Sequence, residues 1–337
     1  MRVRHEKKLI AVAACLVTLH VVAAFAGFFS PYSYREQYRD APRSAPTTIR
    51  WIDRDGGFHI VPFIESNDGA MVPIRFWVRG SSYELFGLVA SDRHLFGVDA
   101  PHRIFVLGTD SLGRDTFSRL LYGGQLSLTA GLMAAALALG IALVLGAAAG
   151  YGGRIVDGVI MWTGDVFLSL PWIYLLLAAR AFLPLDMDPA EAFLVIVLLL
   201  GFVGWAGPMR LVRGIVMSAK EREFVNAARS AGAGHVHLLT RHVLPQTYPV
   251  LATQAAILVP AYMLAEVTLS FVGLGVGEPR PSWGNLLTDV PRASLMTSEP
   301  WVFAPAVLIV VVTWLYHSVL SSVHKREPGA ADFGSAT

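Results

Sequence analysis

One cysteine, Cys15, stands among the 337 residues. No disulfide within the chain and no cysteine-built metal centre can therefore form. Charge is also scarce, at 15% Asp, Glu, Lys and Arg, where a soluble domain carries about a quarter. The net charge is only +2, so there is no basic footprint of the kind that nucleic acid attracts. The chain has no Gly-x-x-x-x-Gly-Lys-Ser/Thr run, hence no phosphate-cradling loop of its own. Gly-x-Ser-x-Gly and His-Glu-x-x-His are missing too, which removes the case for an intramembrane hydrolase. No internal repeat is visible. What fills the chain instead is apolar surface: 54% hydrophobic residues and a mean hydropathy of +0.52.

A bilayer core needs about 20 mostly apolar residues in a helix. On that scale six stretches qualify: Leu9–Phe29, Leu126–Gly150, Ile155–Leu183, Ala192–Gly214, Pro249–Gly275 and Trp301–His324. The second holds no charged residue. The third is interrupted by Asp157, Asp165 and Arg180, and the fifth contains Glu266. The predicted fold is an all-α membrane protein of six transmembrane helices, with a small β-containing extracytoplasmic insert between the first and the second. Its parts are a tail and first helix over 1–29, the insert over 30–125, a five-helix transmembrane domain over 126–324, and a tail over 325–337.

Cations near span ends set orientation. Arg2, Arg4, Lys7 and Lys8 precede the first span, and Lys325 and Arg326 follow the last. Both termini are thus expected in the cytoplasm of a multi-pass inner membrane protein. Arg210, Arg213, Lys220, Arg222, Arg229 and Arg241 fall on that same side, whereas the connector with Asp186, Asp188 and Glu191 falls outside. A basic start, an apolar run and Ala24-Phe25-Ala26 also fit a cleaved signal peptide; the length of the run favours an uncleaved anchor. In the insert, Ile49–Ile52 and Phe58–Val61 flank Asp55-Gly56-Gly57, a hairpin signal. A second β-like run covers Ile74–Val78.

The most informative stretch lies between the fourth and fifth spans, over about 219–245. Glu223-Phe224-Val225-Asn226-Ala227-Ala228-Arg229-Ser230-Ala231-Gly232 reads as a short polar helix stopped by glycine, and Leu244-Pro245 leads into the fifth span. The small side chains of Ala227 and Ala228 let a partner surface approach the backbone. This segment resembles the EAA loop of binding-protein-dependent ABC permeases: Asn226-Ala227-Ala228, Gly232 and Leu244-Pro245 stand at the matching spacing, with Asn226 replacing the family's glutamate and Glu223 one turn back. Leu107–Asp115 with Ser118–Gly123 resembles the entry to the second span in dipeptide, oligopeptide and nickel permeases. So do Ala265-Glu266, Leu269–Gly275 and Pro281–Asn285 resemble that group's run out of the fifth span. The matches cover roughly two-thirds of the chain.

That resemblance implies a non-catalytic permease subunit of an ATP-driven importer. Its expected partners are a second permease subunit, two cytoplasmic ATPase subunits carrying the ATP and magnesium, and an extracytoplasmic solute-binding protein. No cofactor or metal is expected in this chain. Glu223, Asn226, Ala227, Ala228, Gly232, Leu244 and Pro245 would couple it to the ATPases. The expected substrate is a peptide, with nickel chelates and oligosaccharides as alternatives within the family. A stand-alone secondary transporter and a membrane-anchored scaffold for the outer domain are the alternatives outside it. Glu266 and Asp165 sit where charge is expensive, which makes them candidates for the translocation path or a gate. For Asp165, early in the third span, a structural role is favoured: a position nearer the interface, or a partner such as Arg180 or a backbone group. His235, His237 and His242 cluster near the loop, but no carboxylate or cysteine joins them, and a solvated cationic surface is the simpler expectation.

Overall fold

The computed structural model describes residues 2–65, 70–85, 87–181, 184, 187–289 and 299–324. Helix α1 covers Arg2–Ala24 and a single turn, α2, covers Ala26–Phe29. Five strands follow: β1 Ile49–Ile52, β2 Phe58–Glu65, β3 Met71–Pro73, β4 Arg75–Leu85 and β5 Val89–Gly97. The helices then run α3 Thr116–Tyr151, α4 Arg154–Ser169, α5 Trp172–Ala181, α6 Pro189–Val203, α7 Ala206–Lys220 and α8 Glu223–Ser230. After α9 (His235–His237), a π-helical stretch Leu238–Val243 and a 3-10 turn Leu244–Thr247 lead into α10, Tyr248–Phe271. Helix α11 spans Trp283–Leu286, and α12 spans Ala304–His324.

The chain folds as two compact units. One comprises the chain up to Ala13, Ala130–Glu266 and the chain from Val312; the other comprises Ala14–Thr129 and Val267–Val311.

In the first unit, α3 and α7 pack closely. A Cβ on Gly146 would lie 2.8 Å from the Met209 carbonyl, and one on Gly150 would lie 2.8 Å from Val216. Met209, Val212 and Val216, all on the inward stripe of α7, are fully buried. Helix α6 starts where the Asp188 carboxylate accepts from the Ala190 N–H at 2.8 Å, with Pro189 in the first turn, the usual chemistry of a helix start. It ends at Gly204, and α7 departs from its axis by 45°. The Tyr262 hydroxyl of α10 fills the notch: a Cβ on Gly204 would lie 1.6 Å from it.

In the second unit, β1, β2 and β3 form an antiparallel sheet in that order, and β4 and β5 form a separate hairpin. Ile64, Val72, Ile74 and Ile104 make its buried apolar cluster. Helix α3 begins because Asp115 caps it: its Oδ2 accepts from the Ser118 N–H at 2.8 Å and from the Ser118 hydroxyl at 2.6 Å. Helix α11 carries a full capping box between Ser282 and Asn285. Its Trp283 indole N–H donates to the Leu120 carbonyl at 3.0 Å, and the ring lies on Gly124.

Among the described residues, four helices are long and apolar enough to cross a membrane, or five if the bent pair α6–α7 counts as one. The expectation of one continuous third span over 155–183 is corrected. The helix stops at Ser169, and Leu170 turns extended at ψ 131°, because Pro171 disfavours the α conformation in the residue before it. Residues 182–183 of that stretch lie outside the described residues. Likewise α3 begins ten residues ahead of the expected Leu126, so Thr116–Gln125 belongs to a helix and not to the insert.

Candidate coupling site

Helix α8 is eight residues long, and Val225 is its only buried side chain. Val225 joins Val212, Val216 and Ala219 of α7 and Leu238 and Val243 of the following stretch in one apolar cluster. Ala228, one turn on, packs against the same cluster. The opposite face is open: Glu223, Phe224, Asn226, Ala227 and Arg229 are exposed. A strip of apolar side chains thus fastens the helix to α7, and one aromatic ring, Phe224, is left facing outward among small or polar groups.

The helix ends through a Schellman arrangement. The Gly232 N–H donates to the Arg229 carbonyl at 3.0 Å, and the Ala233 N–H donates to the Ala228 carbonyl at 3.1 Å. Gly232 holds φ at +88°, a backbone region that glycine enters at no steric cost. Nothing lies within 4 Å of where its Cβ would be, so only the backbone resists substitution there. Leu244 and Pro245 are half-buried in the 3-10 turn that joins the π stretch to α10. Glu223, Asn226, Ala227, Ala228 and Gly232 are therefore together on α8 and its cap, whereas Leu244 and Pro245 stand at the entry to α10. The Asn226 amide donates to the Glu221 carbonyl at 3.3 Å. The rings of His237 and His242 meet edge-on at 5.7 Å, and His235 Nδ1 lies 3.2 Å from the Tyr151 hydroxyl.

The two acids singled out in the expected spans are placed differently. Glu266 is fully buried in α10. Asp165 of α4 is largely exposed and pairs with Arg210 of α7; the Arg180 side chain lies outside the described residues. A second rung between the same helices joins Asp157 to Arg213, whose Nη2 stands 2.6 Å from the Asp157 carboxylate. Neither pair is legible from spacing, since 45 and 56 residues separate the partners.

A third charged group was also hidden in the sequence. Arg114 Nη1 lies 2.8 Å from one Glu278 oxygen, and Arg119 Nη2 lies 2.7 Å from the other. Asp110 completes the set, 2.6 Å from Arg114 Nε. Glu278 is half exposed, while both arginines are buried. Burial works against the Arg114 charge, but Asp110 and Glu278 outweigh it and raise its pKa. Burial likewise pushes the neighbouring Asp115 carboxyl up to about 7, against the pull of the Ser118 hydrogen bonds. The motif segment ahead of the second span supplies Asp110, Arg114 and Arg119, whereas Glu278 falls between Gly275 and Pro281, outside the runs singled out in the sequence.

Apolar spans, bent and broken helices, and a short helix pinned to their ends define a multi-pass membrane protein. Residues 142–326 match the model for the binding-protein-dependent transport system inner membrane component. The chain is 38% identical over 207 residues to the oligopeptide transport system permease protein OppC of Mycobacterium tuberculosis, covering 61% of this chain and 69% of that protein. It is 34% identical over 211 residues to the dipeptide transport system permease protein DppC of Bacillus subtilis, covering 62% and 64%. A solved structure of the MetNI methionine ABC transporter in inward-facing conformations is similar at TM-score 0.45 and 17% identity, over 60% of this chain and 95% of that one. The chain belongs to the family of binding-protein-dependent inner membrane transport components, and it is a permease subunit of an ABC importer.

Proposed function

We propose that this permease carries peptides, and that α8 takes up the force of ATP binding from partner subunits and passes it to the membrane helices. The relatives named for oligopeptide and dipeptide transport support the substrate class. The coupling role rests on one observation: α8 is fixed through Val225 to the buried end of α7 while its Glu223–Asn226–Ala227 face stays open. A push on that face moves α7 and, through the π stretch, α10. Glu223 and Asn226 tune the seat, Ala227 and Ala228 let the partner approach, and Gly232, Leu244 and Pro245 fix the turns. Glu266 and Asp165 serve the path or its gate.

In this reading the membrane is crossed six times, with α4 and α5 together making a broken third crossing. The strand-bearing segment of 30–125 lies outside the cytoplasm and both termini lie within it. A second permease subunit, two ATPase subunits carrying ATP and magnesium, and an outer binding protein complete the importer. This chain itself has no catalytic role and no cofactor. Access alternates between the two sides of the membrane.

Gly232→Asp tests the coupling. A side chain at φ +88° is strained, and a carboxylate at the helix C-terminus meets the negative end of its dipole. Uptake driven by ATP should fall at least tenfold while the amount of subunit in the membrane stays unchanged. Normal uptake overturns the assignment. Uptake in liposomes by this chain alone, without ATP, would establish a secondary transporter instead.

A further inference from the structure

Within the strand-bearing unit, a cleft of about 530 Å³ opens between the segment after α2, the far end of the β4–β5 hairpin and the first turns of α3. That volume lies within the range of roughly 300–1,000 Å³ typical of small-ligand sites. Tyr34, Tyr83 and Tyr122 line it, together with Arg35, Arg280 and Glu84.

The tyrosines are fixed. The Tyr34 and Tyr122 rings meet with centroids 4.8 Å apart, and the Tyr83 hydroxyl donates to the Arg93 carbonyl at 2.7 Å. Arg35 lies over the Tyr34 ring at 5.4 Å, and its Nε donates to that hydroxyl at 3.2 Å. The ring therefore holds one guanidinium in place before any ligand arrives.

The charges of the cleft are distinctive for being unmatched. Most other arginines of this unit have carboxylate partners, among them Arg43 with Glu299 at 3.0 Å, Arg75 with Asp99 at 2.7 Å and Arg103 with Asp40 at 2.8 Å, and the exposed Arg39 is an exception. A larger cleft of about 1,100 Å³ is bordered by Arg50, Arg54, Glu65, Arg103 and Asp40, and these are paired with one another. Among the described residues no ion pair involves Arg35, Arg280 or Glu84. The smaller cleft thus combines two uncompensated guanidinium groups, one uncompensated carboxylate and a wall of aromatic rings. Arginine forks match a carboxylate in geometry as well as charge.

The geometry points to this cleft as a holding site for a short peptide with free termini. Arg35 and Arg280 take its terminal carboxylate, Glu84 faces its amino group, and the tyrosine rings lie against its amides and side chains. This rests on the peptide reading above and adds where on this chain the solute pauses.

The test uses the complete transporter with its binding protein in proteoliposomes, and two labelled probes: trialanine and trialanine C-terminal amide. Arg35→Gln and Arg280→Gln should each raise the KM for trialanine about tenfold, as expected for losing one charge-assisted contact, and change it less than twofold for the amide. Arg280→Lys should recover part of the loss. The binding protein is the same in every measurement, so its own preference cancels in the variant-to-wild-type ratio. Equal losses for both probes indicate a merely structural role and overturn the site, as do unchanged KM values. A wild-type transporter that moves neither probe refutes the peptide reading itself, and this ligand with it.

Discussion

Gly204 is the position where one methyl group should do the most damage. Its Cβ would stand 1.6 Å from the Tyr262 hydroxyl and 2.7 Å from the ring carbon that carries it. Ordinary contact needs about 3.5 Å, so in Gly204→Ala either the Tyr262 ring or the α6–α7 bend must move by about 2 Å. Both are constrained: Tyr262 is buried, and Trp205, the next residue, packs beside Ala206 and Met209 in a buried cluster. Overpacking of this kind costs about 1–3 kcal/mol. Taking about 2 kcal/mol, the melting temperature of the detergent-purified subunit should drop by about 3 °C. Tyr262→Phe removes the worst contact and leaves the next, so it should restore part of the loss in the Gly204→Ala background. Tyr262→Ala alone should cost about 3–5 kcal/mol through the cavity it opens, and much less when Gly204→Ala already fills that space. The parent, Gly204→Ala, Tyr262→Ala and the variant with both alanines form a double-mutant cycle whose coupling should exceed about 1 kcal/mol. Strictly additive losses, or an alanine variant as stable as the parent, would refute a notch built around this hydroxyl.

Asp115 gives a pH prediction. Its folded pKa of about 7 exceeds the ordinary 3.8, so between those values the folded chain keeps a proton that the unfolded chain has released. The stability this confers is complete below about 4 and is lost as pH rises to about 7, at up to about 1.4 kcal/mol per pH unit. Asp115→Asn keeps an acceptor for Ser118 and should flatten the slope; Asp115→Ala should cost about 1 kcal/mol at every pH through the lost cap. Melting temperatures from pH 4.5 to 8 decide it, and a slope untouched in the asparagine variant counts against the assignment. For Trp283, alanine should cost about 3–5 kcal/mol and phenylalanine, which loses the bond to Leu120 and the part of the indole that lies on Gly124, about 2 kcal/mol. The order of the melting temperatures is the check, and a phenylalanine variant as damaged as alanine would overturn the view that packing dominates there.

Much of the helical architecture could be read from hydropathy, because α3 and α12 present long runs without charge. The misreadings have local causes. Residues 155–183 looked continuous because an average over the window hides a single Leu170-Pro171 step, although the proline was in plain view. The start of α3 was missed because Arg119 and Gln125 lower the hydropathy of its first turns; Asp115 three residues before Ser118 was the cap signal that could have found it. The Gly232 cap was legible since a helix stop needs no tertiary partner. Ion pairing was not: Arg119 and Glu278 are 159 residues apart, and only the folded chain decides which charges meet. The cleft of tyrosines was invisible for the same reason, its walls coming from four separate segments.

The way α8 is attached has a thermal consequence. Among the described residues no ion pair reaches this helix, and its seat on α7 consists of Val225 and Ala228 against other aliphatic side chains. Apolar burial is not screened by salt, which if anything strengthens it, and it weakens on cooling, whereas the Glu278 network, open to solvent through one carboxylate, is subject to screening by salt. Cold should therefore loosen the attachment of α8 and leave the Glu278 network largely intact, while concentrated salt should do the reverse. One subunit thus carries two fastenings that answer to different variables of its surroundings, temperature for one and ionic strength for the other.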